Sequence, residues 1–548
     1  MNNWSLKLSL PHRYVLVLLM FVLTAWLAYL YLARPSLGID DAHIFFVYAQ
    51  NISQGEGAVY NPGGEHVEGY SSPLWLFIST LAFALLDQPL PGLLVISLLL
   101  LSLGITLLWR WLDASERVTL KGILFLIWIF TSPSFIIWTT LTLMDTALWS
   151  VILALGCYIL LTRPKPIYIS SLVALTVLMR PEGMLWGILF VVLWGLRSLD
   201  KGWLSALRQM IKPILAYGVT LGLLIASRLL YFGYPLPNTY YAKMSPDVAY
   251  NIEQGAVYLG YFLVTNPIVL LVTLALSASI VLVNIPWLLK LFKDPQQVFE
   301  EKRIQALCVA VIVLVGLFVP VWMGGDHFDL SRFYQPLWPL FILPMFFLPE
   351  LINIPLSSTL YRAGMVGLVL IFCFGHWTNW FWGDTLGRMK IEFSLAQIGY
   401  EMGHILNEMF AEDKPSVGVI VAGGIALSYE GFVVDVLGLN NVAVAHTPGQ
   451  RYGMKNHSAF NSDVFLSQRP DLFLPEVASP SDTLDVLCHP FADWVVGEVF
   501  ELSSFWQMYQ RVVLVRGDNR VAVFANKAFL SQLPRQDFVI EPLDCSST

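Results

Sequence analysis

Long apolar segments alternate with short polar connections over residues 1–382 of this chain. Many of these segments contain the roughly 18–20 consecutive apolar residues that a helix needs to cross a bilayer core of about 30 Å. The pattern predicts a polytopic α-helical membrane protein with about 11 transmembrane helices. Their predicted starts lie near residues 14, 91, 120, 146, 167, 184, 210, 264, 304, 335 and 361.

One apolar stretch, SSPLWLFISTLAFALL from Ser71 to Leu86, is not counted as a span. Only about 14 apolar residues follow Pro73, fewer than a bilayer crossing requires. We predict that it forms a helix at the outer membrane–water boundary, within a first outer loop at residues 34–90. A second interfacial helix is predicted before it, from AHIFFVYAQNISQ, ending near Gly55.

The basic residues of the connections are distributed unequally between the two sides of the predicted bundle. One set of connections carries 16 Lys and Arg residues and the alternating set carries 5. Because cytoplasmic loops carry the excess of positive charge, the first set is predicted to be cytoplasmic. This topology predicts a multi-pass protein of the cytoplasmic (inner) membrane with a cytoplasmic N-terminus.

Residues 383–548 are much more polar than the rest of the chain. SLAQIGYEMGHILNEMF has the periodicity of an amphipathic helix, and SVGVIVAG, GFVVDVLG, RPDLFLP and RVVLVRGDNRVAVFAN are typical of short strands bounded by turns. We therefore predict two domains, a transmembrane domain at 1–382 and an extracytoplasmic (periplasmic) α/β domain at 383–548.

Composition adds limits on partners and cofactors. The chain is 56% hydrophobic and 13% charged, with a net charge of −7. Without a basic, aromatic-interleaved patch, nucleic acid is not expected as a partner. Five cysteines show no metal-ligand spacing, and the sequence leaves open whether Cys488 and Cys545 pair.

Ionisable residues gather in the predicted outer loops. The first loop begins with Asp40 and Asp41, and later loops carry further acids and bases. Arg and Lys at this depth suit a phosphate, and a neighbouring carboxylate suits a general base that deprotonates an alcohol. A lipid-linked phosphosugar presents both requirements at the outer boundary. The candidate residues in these loops are Asp40, Asp41, Glu68, Tyr70, Asp145, Arg180, Glu182, Arg228, Asn238, Lys243, Asp326, His327 and Arg332.

Several sequence blocks resemble one protein family. They are GIDDAHIFFVYAQNISQGEGAVYNPGGEHVEGYSSPLW at 38–75, RPEG at 180–183, YFGYPLPNTYYAK at 231–243, GGD with a following Arg at 324–332, and, near the C-terminus, AGG, VVDVLGLN, AH, GMKNH and RPDL. The long first block is similar to the first outer loop of a bacterial branch of the GT-C glycosyltransferases. That branch includes the mycobacterial terminal β-(1→2)-arabinofuranosyltransferase.

The resemblance implies a GT-C fold and transfer of a sugar from a polyprenyl-phosphate donor to a cell-envelope glycan or glycolipid hydroxyl. Asp40 is the first choice for general base and Asp41 the second. Arg228, Lys243, Arg332 and Arg180 are the candidates for binding the donor phosphate. The other residues of the set above, Glu68, Tyr70, Asp145, Glu182, Asn238, Asp326 and His327, are candidates for the substrate cleft.

The chain departs from the family at the turn after the third predicted span. Where the family often has small-Gly-Leu-Glu-Thr, this sequence has Thr142, Leu143, Met144, Asp145 and Thr146. The acid is one methylene shorter and the glycine is replaced, which weakens the case for a direct role of Asp145 but keeps it among the cleft candidates.

Other interpretations stay open at this point. A protein O-glycosyltransferase of the same fold is the main alternative, and a transporter of lipid-linked saccharides is a weaker one. No cofactor is required by the motifs, which leave room for a divalent cation. The sugar, the stereochemical outcome and the oligomeric state are not determined by these residues. The expected partners are the lipid donor, a glycan or glycolipid acceptor and membrane lipids.

Overall fold

The structure is a computed structural model that describes residues 7–113, 116–163, 165–351, 359–382, 385–455, 457–476, 487–488, 493–534, 537–543 and 545. Its N-terminal part is helical. The α-helices there are α1 Leu10–Tyr31, α2 Asp40–Gln54, α3 Pro73–Leu85, α4 Pro89–Asp113, α5 Leu120–Phe130, α6 Pro133–Thr139, α7 Thr146–Thr162, α8 Pro166–Met179, α9 Gly183–Arg197, α10 Trp203–Tyr231, α11 Asn238–Lys243, α12 Val248–Thr265, α13 Pro267–Lys293, α14 Pro295–Val298, α15 Glu301–Trp322, α16 Trp338–Phe341, α17 Leu343–Leu351 and α18 Thr359–Trp382. Short 3₁₀ turns lie at Leu199–Lys201 and Arg332–Leu337.

The C-terminal part mixes helices with a sheet. Its helices are α19 Thr385–Met409, α20 Gly424–Ser428, α21 Val442–Ala445, α22 Ser462–Gln468, α23 Asp493–Phe500, α24 Ser503–Met508 and α25 Lys527–Gln532. Its strands are β1 Val417–Val419, β2 Val433–Asp435, β3 Leu472–Leu474, β4 Tyr509–Arg516, β5 Asn519–Asn526 and β6 Val539–Pro542. The predicted fold class, a helical membrane bundle with a C-terminal α/β domain, is confirmed.

Six helices in the described part of the chain are long and apolar enough to cross a membrane. They are Leu10–Tyr31, Pro89–Asp113, Gly183–Lys201, Trp203–Tyr231, Thr273–Lys293 and Glu301–Trp322. The pair α5 and α6, bent by 67°, makes a seventh if it is one span. The chain is therefore a multi-pass membrane protein.

Within the described residues, fewer helices have the length and hydropathy of a full span than the roughly 11 predicted, because several predicted runs are short or broken; the predicted number stays a prediction. Helices α7 and α8 have 17 and 14 residues. The run predicted near 335 is divided into the 3₁₀ turn, α16 and α17. Proline at Pro336, Pro339 and Pro344 removes main-chain donors along this run, which explains the interruptions.

The two helices predicted for the first outer loop are both present. Helix α2 ends where Gly55 takes a left-handed conformation, with a φ of 89°. Helix α3 begins at Pro73, and the Ser72 hydroxyl accepts the Trp75 N–H as an N-cap. With 13 residues, α3 is too short to cross a bilayer unaided.

The sheet has six strands in the order β2-β1-β3-β5-β4-β6. Strands β2, β1 and β3 are parallel, and β5, β4 and β6 join them antiparallel. Alternation along the strands divides their side chains between two faces. Leu472 and Leu474 join the core of the helical part, whereas Phe473 and Phe524 pack in a second, aromatic core.

A disulfide joins Cys488 to Cys545 within the C-terminal part. The three other cysteines, Cys157, Cys308 and Cys373, are free. The pairing that the sequence left open is therefore present.

The first outer loop is hydrogen-bonded to the sheet. The Asn61 side chain donates to the Val433 carbonyl and accepts the Val433 N–H, both at 2.9 Å. The Tyr60 hydroxyl donates to the Ala422 carbonyl at 2.5 Å. Glu65 accepts the Val442 N–H at 3.0 Å. The turn NPGG thus connects the two parts that the sequence divided at 382, and their status as separate domains stays a prediction.

Candidate functional site

Asp40 is the first residue of α2, and its carboxylate binds a turn of the C-terminal part. The Gly423 N–H lies 3.0 Å from Oδ1 and 2.9 Å from Oδ2, and the Gly424 N–H donates to Oδ1 at 2.7 Å. A Cβ at Gly423 would lie 1.9 Å from the Asp40 carbonyl oxygen, so the approach requires glycine. Burial raises the pKa of Asp40 to about 7, although the two N–H groups oppose the shift. Asp40 therefore fastens α2 to the AGG turn.

Asp41 contacts different groups. Its Oδ2 lies 3.4 Å from Nη1 of Arg332 and 4.0 Å from Nζ of Lys243. Its side chain is 19% exposed to solvent. Two adjacent helical residues point about 100° apart, which explains how one carboxylate fastens the loop while the other faces two cations.

Arg332 is buried between acids and aromatic rings. Its Nε lies 2.7 Å from Oδ2 of Asp326, and its guanidinium carbon lies 4.4 Å from the Phe328 ring centre. Burial would raise the pKa of Asp326, but Arg332 and His327 hold it well below its usual range. The pair is therefore charged, and the guanidinium lies within cation–π distance of an aromatic ring.

The loop that carries these residues has an unusual backbone. Gly324 and Gly325 have positive φ angles of 76° and 67°, and the non-glycine residues Leu330 and Ser331 have 60° and 52°. Left-handed conformations cost a non-glycine residue about 1–2 kcal/mol. Such conformations cluster where a side chain must be held in place, and here they immediately precede Arg332.

Arg180 forms a neighbouring ion-pair group. Its Nε lies 2.9 Å from Oε1 of Glu182 and 3.5 Å from Oδ2 of Asp145. All three side chains are buried. Asp145 therefore stands beside Arg180, at the turn where Leu143 adopts a positive φ of 50°.

Two cavities meet at this cluster. The first, called here the apolar cavity, has a volume of about 380 Å³. It is lined by Leu185, Pro246, Val248, Trp322, Met323 and Phe333 among apolar residues, and by Arg180, Glu182, Lys243, Asp326, Arg332 and Lys455 among charged ones. Leu185, Val248 and Trp322 are each about half exposed, at 47%, 54% and 61%. The apolar cavity is thus continuous with exposed apolar surface.

The second cavity, called here the tyrosine cavity, has a volume of about 340 Å³. One face of α12 lines it with Tyr250, Gln254, Tyr258 and Tyr261, spaced as neighbours on a helix surface. The two cavities share Lys243, Asn251, Asp326 and Lys455 in their linings.

His327 belongs to the tyrosine cavity. Its Nδ1 lies 3.5 Å from Oδ1 of Asp326, and its ring packs on Phe328 with a centroid distance of 4.1 Å. The predicted residues Asp41, Asp145, Arg180, Glu182, Lys243, Asp326, His327 and Arg332 are thus brought together.

Arg228 is placed elsewhere. Its Nε and Nη2 donate to the two carboxylate oxygens of Glu68 at 2.8 and 2.9 Å, and both side chains are buried. It lines neither cavity. The structure therefore does not bring Arg228 together with Lys243 at one cavity, and a role of Arg228 in phosphate binding stays a prediction.

Asn238 and Tyr70 lie with this buried pair. The Asn238 amide donates to the Gly438 and Leu439 carbonyls at 2.8 and 3.0 Å. The Tyr70 ring packs edge-on against Tyr48 with a centroid distance of 4.9 Å. These contacts connect the first loop, α11 and the sheet.

Sequence reasoning gave no role to Lys455 or Glu392. Lys455 stands in the family-like GMKNH segment, but nothing local shows that it reaches the membrane part. Glu392 lies on α19, and burial followed by the charges of Asp41 and Asp40 raises its pKa to about 8. Across the described residues, no group of three His, Cys, Asp or Glu side chains is arranged to hold a metal ion.

Comparisons with known proteins give partial matches. A family model described as a domain of unknown function (DUF8728) matches residues 389–524. No curated protein matches the chain. The matched range contains most of α19 and the strands β1 to β4, and it ends within β5.

Among solved structures, the chain is similar to ArnT from Cupriavidus metallidurans. The form bound to undecaprenyl phosphate is 13% identical with a TM-score of 0.48, and the apo form is 13% identical with 0.49; each match covers 93% of this chain and 98% of the other. The archaeal oligosaccharyltransferase AglB from Archaeoglobus fulgidus, in complex with an inhibitory peptide and a dolichol-phosphate, is 11% identical with a TM-score of 0.42. That match covers 95% of this chain and 75% of AglB.

Proposed function

We propose that this chain is a polyprenyl-phosphate-sugar-dependent glycosyltransferase of the GT-C type. It moves a sugar from the lipid-linked donor onto a hydroxyl of a cell-envelope glycan or glycolipid, at the outer face of the cytoplasmic membrane. Its first-loop motif supports the family, and the arrangement of charged residues between two cavities supports the reaction.

One observation carries the proposal. Asp41 lies within 4.0 Å of Lys243 and Arg332, two cations that line a cavity continuous with exposed apolar surface. An apolar approach suits a polyprenyl tail, and cations at its inner end suit a phosphate. A carboxylate at the same place suits the deprotonation of an acceptor alcohol.

The reaction needs one displacement at the anomeric carbon. Asp41 takes the proton of the acceptor hydroxyl as its oxygen forms the new glycosidic bond. The bond from the anomeric carbon to the phosphate oxygen breaks, and its electron pair stays on that oxygen. The leaving phosphate gains one negative charge, which Lys243 and Arg332 stabilise in a partly desolvated site.

The two aspartates take different roles in this proposal. The sequence favoured Asp40 as the base, but its carboxylate is occupied by the Gly423 and Gly424 N–H groups. Asp41 is therefore the proposed base, and Asp40 is a positioning residue. It holds α2 against the AGG turn and thereby orients Asp41.

The tyrosine cavity suits the acceptor. Aromatic rings such as those of Tyr250 and Tyr261 offer apolar faces with a polar hydroxyl, which suits the C–H faces and hydroxyls of a sugar. The cavity shares Lys243 and Asp326 with the apolar cavity, so an acceptor there would lie close to the donor phosphate. This arrangement favours a glycan or glycolipid over a polypeptide acceptor.

The disulfide supports the proposed topology. Disulfides persist in oxidising compartments and are rare in the cytosol, so Cys488–Cys545 favours an extracytoplasmic location for residues 383–548. The transmembrane domain would then supply Asp41, Lys243 and Arg332 to the outer face.

The test uses membranes that contain the full-length chain, a radiolabelled polyprenyl-phosphate sugar and envelope glycan. We expect transfer by the parent, and transfer slower by about 10²- to 10⁴-fold by Asp41→Asn present at equal abundance. Mass spectrometry of envelope glycans from a deletion strain identifies the sugar that disappears. An unchanged glycan profile together with no transfer from any lipid-linked donor would reject the proposal.

A further inference from the structure

A strap formed by residues 446–455 runs from α21 of the C-terminal part onto the helical part. The Ser245 hydroxyl donates to the Gln450 carbonyl at 2.8 Å. The Gly453 N–H donates to the Tyr250 hydroxyl at 2.9 Å, and that hydroxyl lies 3.2 Å from the Gly453 carbonyl. The strap is therefore attached along α11–α12 before it reaches Lys455.

Lys455 is seated on the strained loop of the site. Its Nζ donates to the Met323 carbonyl and to the Gly325 carbonyl, the latter at 3.0 Å. A Cβ at Gly324 would lie 3.2 Å from this Nζ, and a Cβ at Gly325 would lie 2.6 Å from Cβ of Tyr258. The carbonyls of Met323 and Gly325, with Gly324 close beside them, thus form a seat for one ammonium group.

The seat lies between the two cavities, because Lys455 lines both of them. The charged groups that face it are Asp326, Lys243, Glu182 and Arg332. Arg332 is itself ion-paired with Asp326 and Asp41. The oxygens that Nζ of Lys455 contacts are main-chain carbonyls, which carry no net charge to neutralise it.

We propose that Lys455 is a catalytic residue, supplied by the C-terminal part, that binds the donor phosphate and neutralises the charge that develops on it. This rests on the proposed glycosyl transfer. When the anomeric C–O bond breaks, its electron pair goes to the phosphate oxygen and the acceptor proton goes to Asp41. The lipid phosphate leaves with one additional negative charge, and Lys455, like Lys243, is a cation that lines both the donor cavity and the acceptor cavity.

The electrostatics of the seat agree with this role. Burial lowers the pKa of Lys455 to about 8, although Asp326 opposes the shift. An anionic phosphate beside the ammonium group would stabilise its charged form. Below that pKa the free protein is ready to bind a phosphate, and above it the affinity should fall as the ammonium loses its proton.

The first experiment measures binding of undecaprenyl phosphate and of undecaprenol to the full-length protein in nanodiscs. We expect Lys455→Gln to weaken undecaprenyl phosphate binding roughly ten- to a hundredfold, the loss of one charge-assisted bond. Undecaprenol binding should stay unchanged, because it has the same tail without the phosphate. The control is Lys414→Gln, which removes a lysine of the same part that pairs with Glu430 outside both cavities.

The results separate this inference from the proposed function. If the parent does not prefer undecaprenyl phosphate over undecaprenol, the proposed function and this inference both fail. If the parent does prefer it and Lys455→Gln keeps the same preference, only the role of Lys455 is overturned. An equal loss for both lipids indicates a structural role and also overturns it.

A second variant covers the case in which Lys455→Gln does not fold. Lys455→Arg keeps the charge at every accessible pH. The parent's affinity for undecaprenyl phosphate should fall as pH rises through about 8, whereas the arginine variant should lose this inflection. The same inflection in both proteins would overturn the assignment.

Discussion

Two ionic groups each include an acid from residues 34–90 of this protein, and they hold their cations in different ways. Arg228 and Glu68 form a closed pair with two hydrogen bonds at 2.8 and 2.9 Å. Asp41, Lys243 and Arg332 form an open cluster beside a cavity, in which Asp41 lies 3.4 Å from Arg332 and 4.0 Å from Lys243, while Arg332 also pairs with Asp326 at 2.7 Å. The two groups differ because Lys243 shares its charge over a long distance beside a cavity, whereas Arg228 is bound closely by one carboxylate and lines neither cavity.

In the open cluster, the substitution with the largest expected effect on transfer is Asp41→Asn. Because a positioned base contributes about 10²- to 10⁴-fold, we expect transfer to fall by that factor without loss of the folded protein. Initial rates in membranes with a lipid-linked donor measure it, and Asp40→Asn is the comparison. If Asp40→Asn loses turnover while Asp41→Asn is normal in rate, the two roles are reversed.

Breaking the closed pair should act on stability instead. Glu68→Gln leaves the Arg228 guanidinium buried without its carboxylate, which should cost about 3–5 kcal/mol of folding free energy. Thermal unfolding of the purified protein in detergent measures the loss. The folded fraction of Glu68→Gln should show the same dependence of rate on donor concentration as the parent. A selective loss of donor affinity in this variant would instead place Arg228 in the phosphate site.

Lys243→Gln should have a smaller and different effect. Loss of one charge-assisted bond, roughly 1.5–3 kcal/mol, should weaken apparent donor affinity about ten- to a hundredfold. Stability should change little, since the contact to Asp41 is long at 4.0 Å. The measurement is the initial rate of transfer against donor concentration for Lys243→Gln and for Arg228→Gln. The same donor dependence in Lys243→Gln and the parent would contradict a role of Lys243 in binding the phosphate.

The smallest expected effect is the pH dependence that Asp40 contributes to stability. Burial raises the pKa of Asp40 in the folded protein to about 7 from an ordinary value of 3.8. At pH values between these two, the folded protein therefore holds a proton that the unfolded chain has lost. Its contribution to stability is therefore present at low pH and is lost as pH rises through 7. Asp40→Asn should flatten this slope in thermal unfolding; an identical slope in parent and variant would show that Asp40 does not titrate there.

Much of the fold follows from the sequence because its signals are local. Apolar runs gave the helices, and strand patterns bounded by turns predicted β1 to β5. Strand β6 was not predicted, because VIEP is short and mostly exposed and is held in place by its pairing with β4. The run near 335 is interrupted by prolines, which hydropathy alone does not reveal because it ignores missing main-chain donors, and whether it spans the membrane stays a prediction.

The site was only partly predictable from the sequence, because its ion pairs join residues that are far apart in the chain. The loop around Arg228 and Lys243 suggested one phosphate site, but Glu68, 160 residues earlier in the chain, binds Arg228. Lys455 reaches a carbonyl 132 residues earlier, at Met323, which no local pattern reveals. Leu143, where the family that the sequence resembles often has glycine, adopts a positive φ, a conformation that glycine takes more readily.

The Asn61 amide has a consequence for the sheet itself. Strand β2 is the first strand of the sheet order, and the Asn61 side chain occupies both the N–H and the C=O of Val433. A single side chain thus stands where another strand would add, and it blocks edge-to-edge growth of the sheet. A C-terminal part produced without the first loop would present β2 uncovered, and we expect such a fragment to self-associate along that edge.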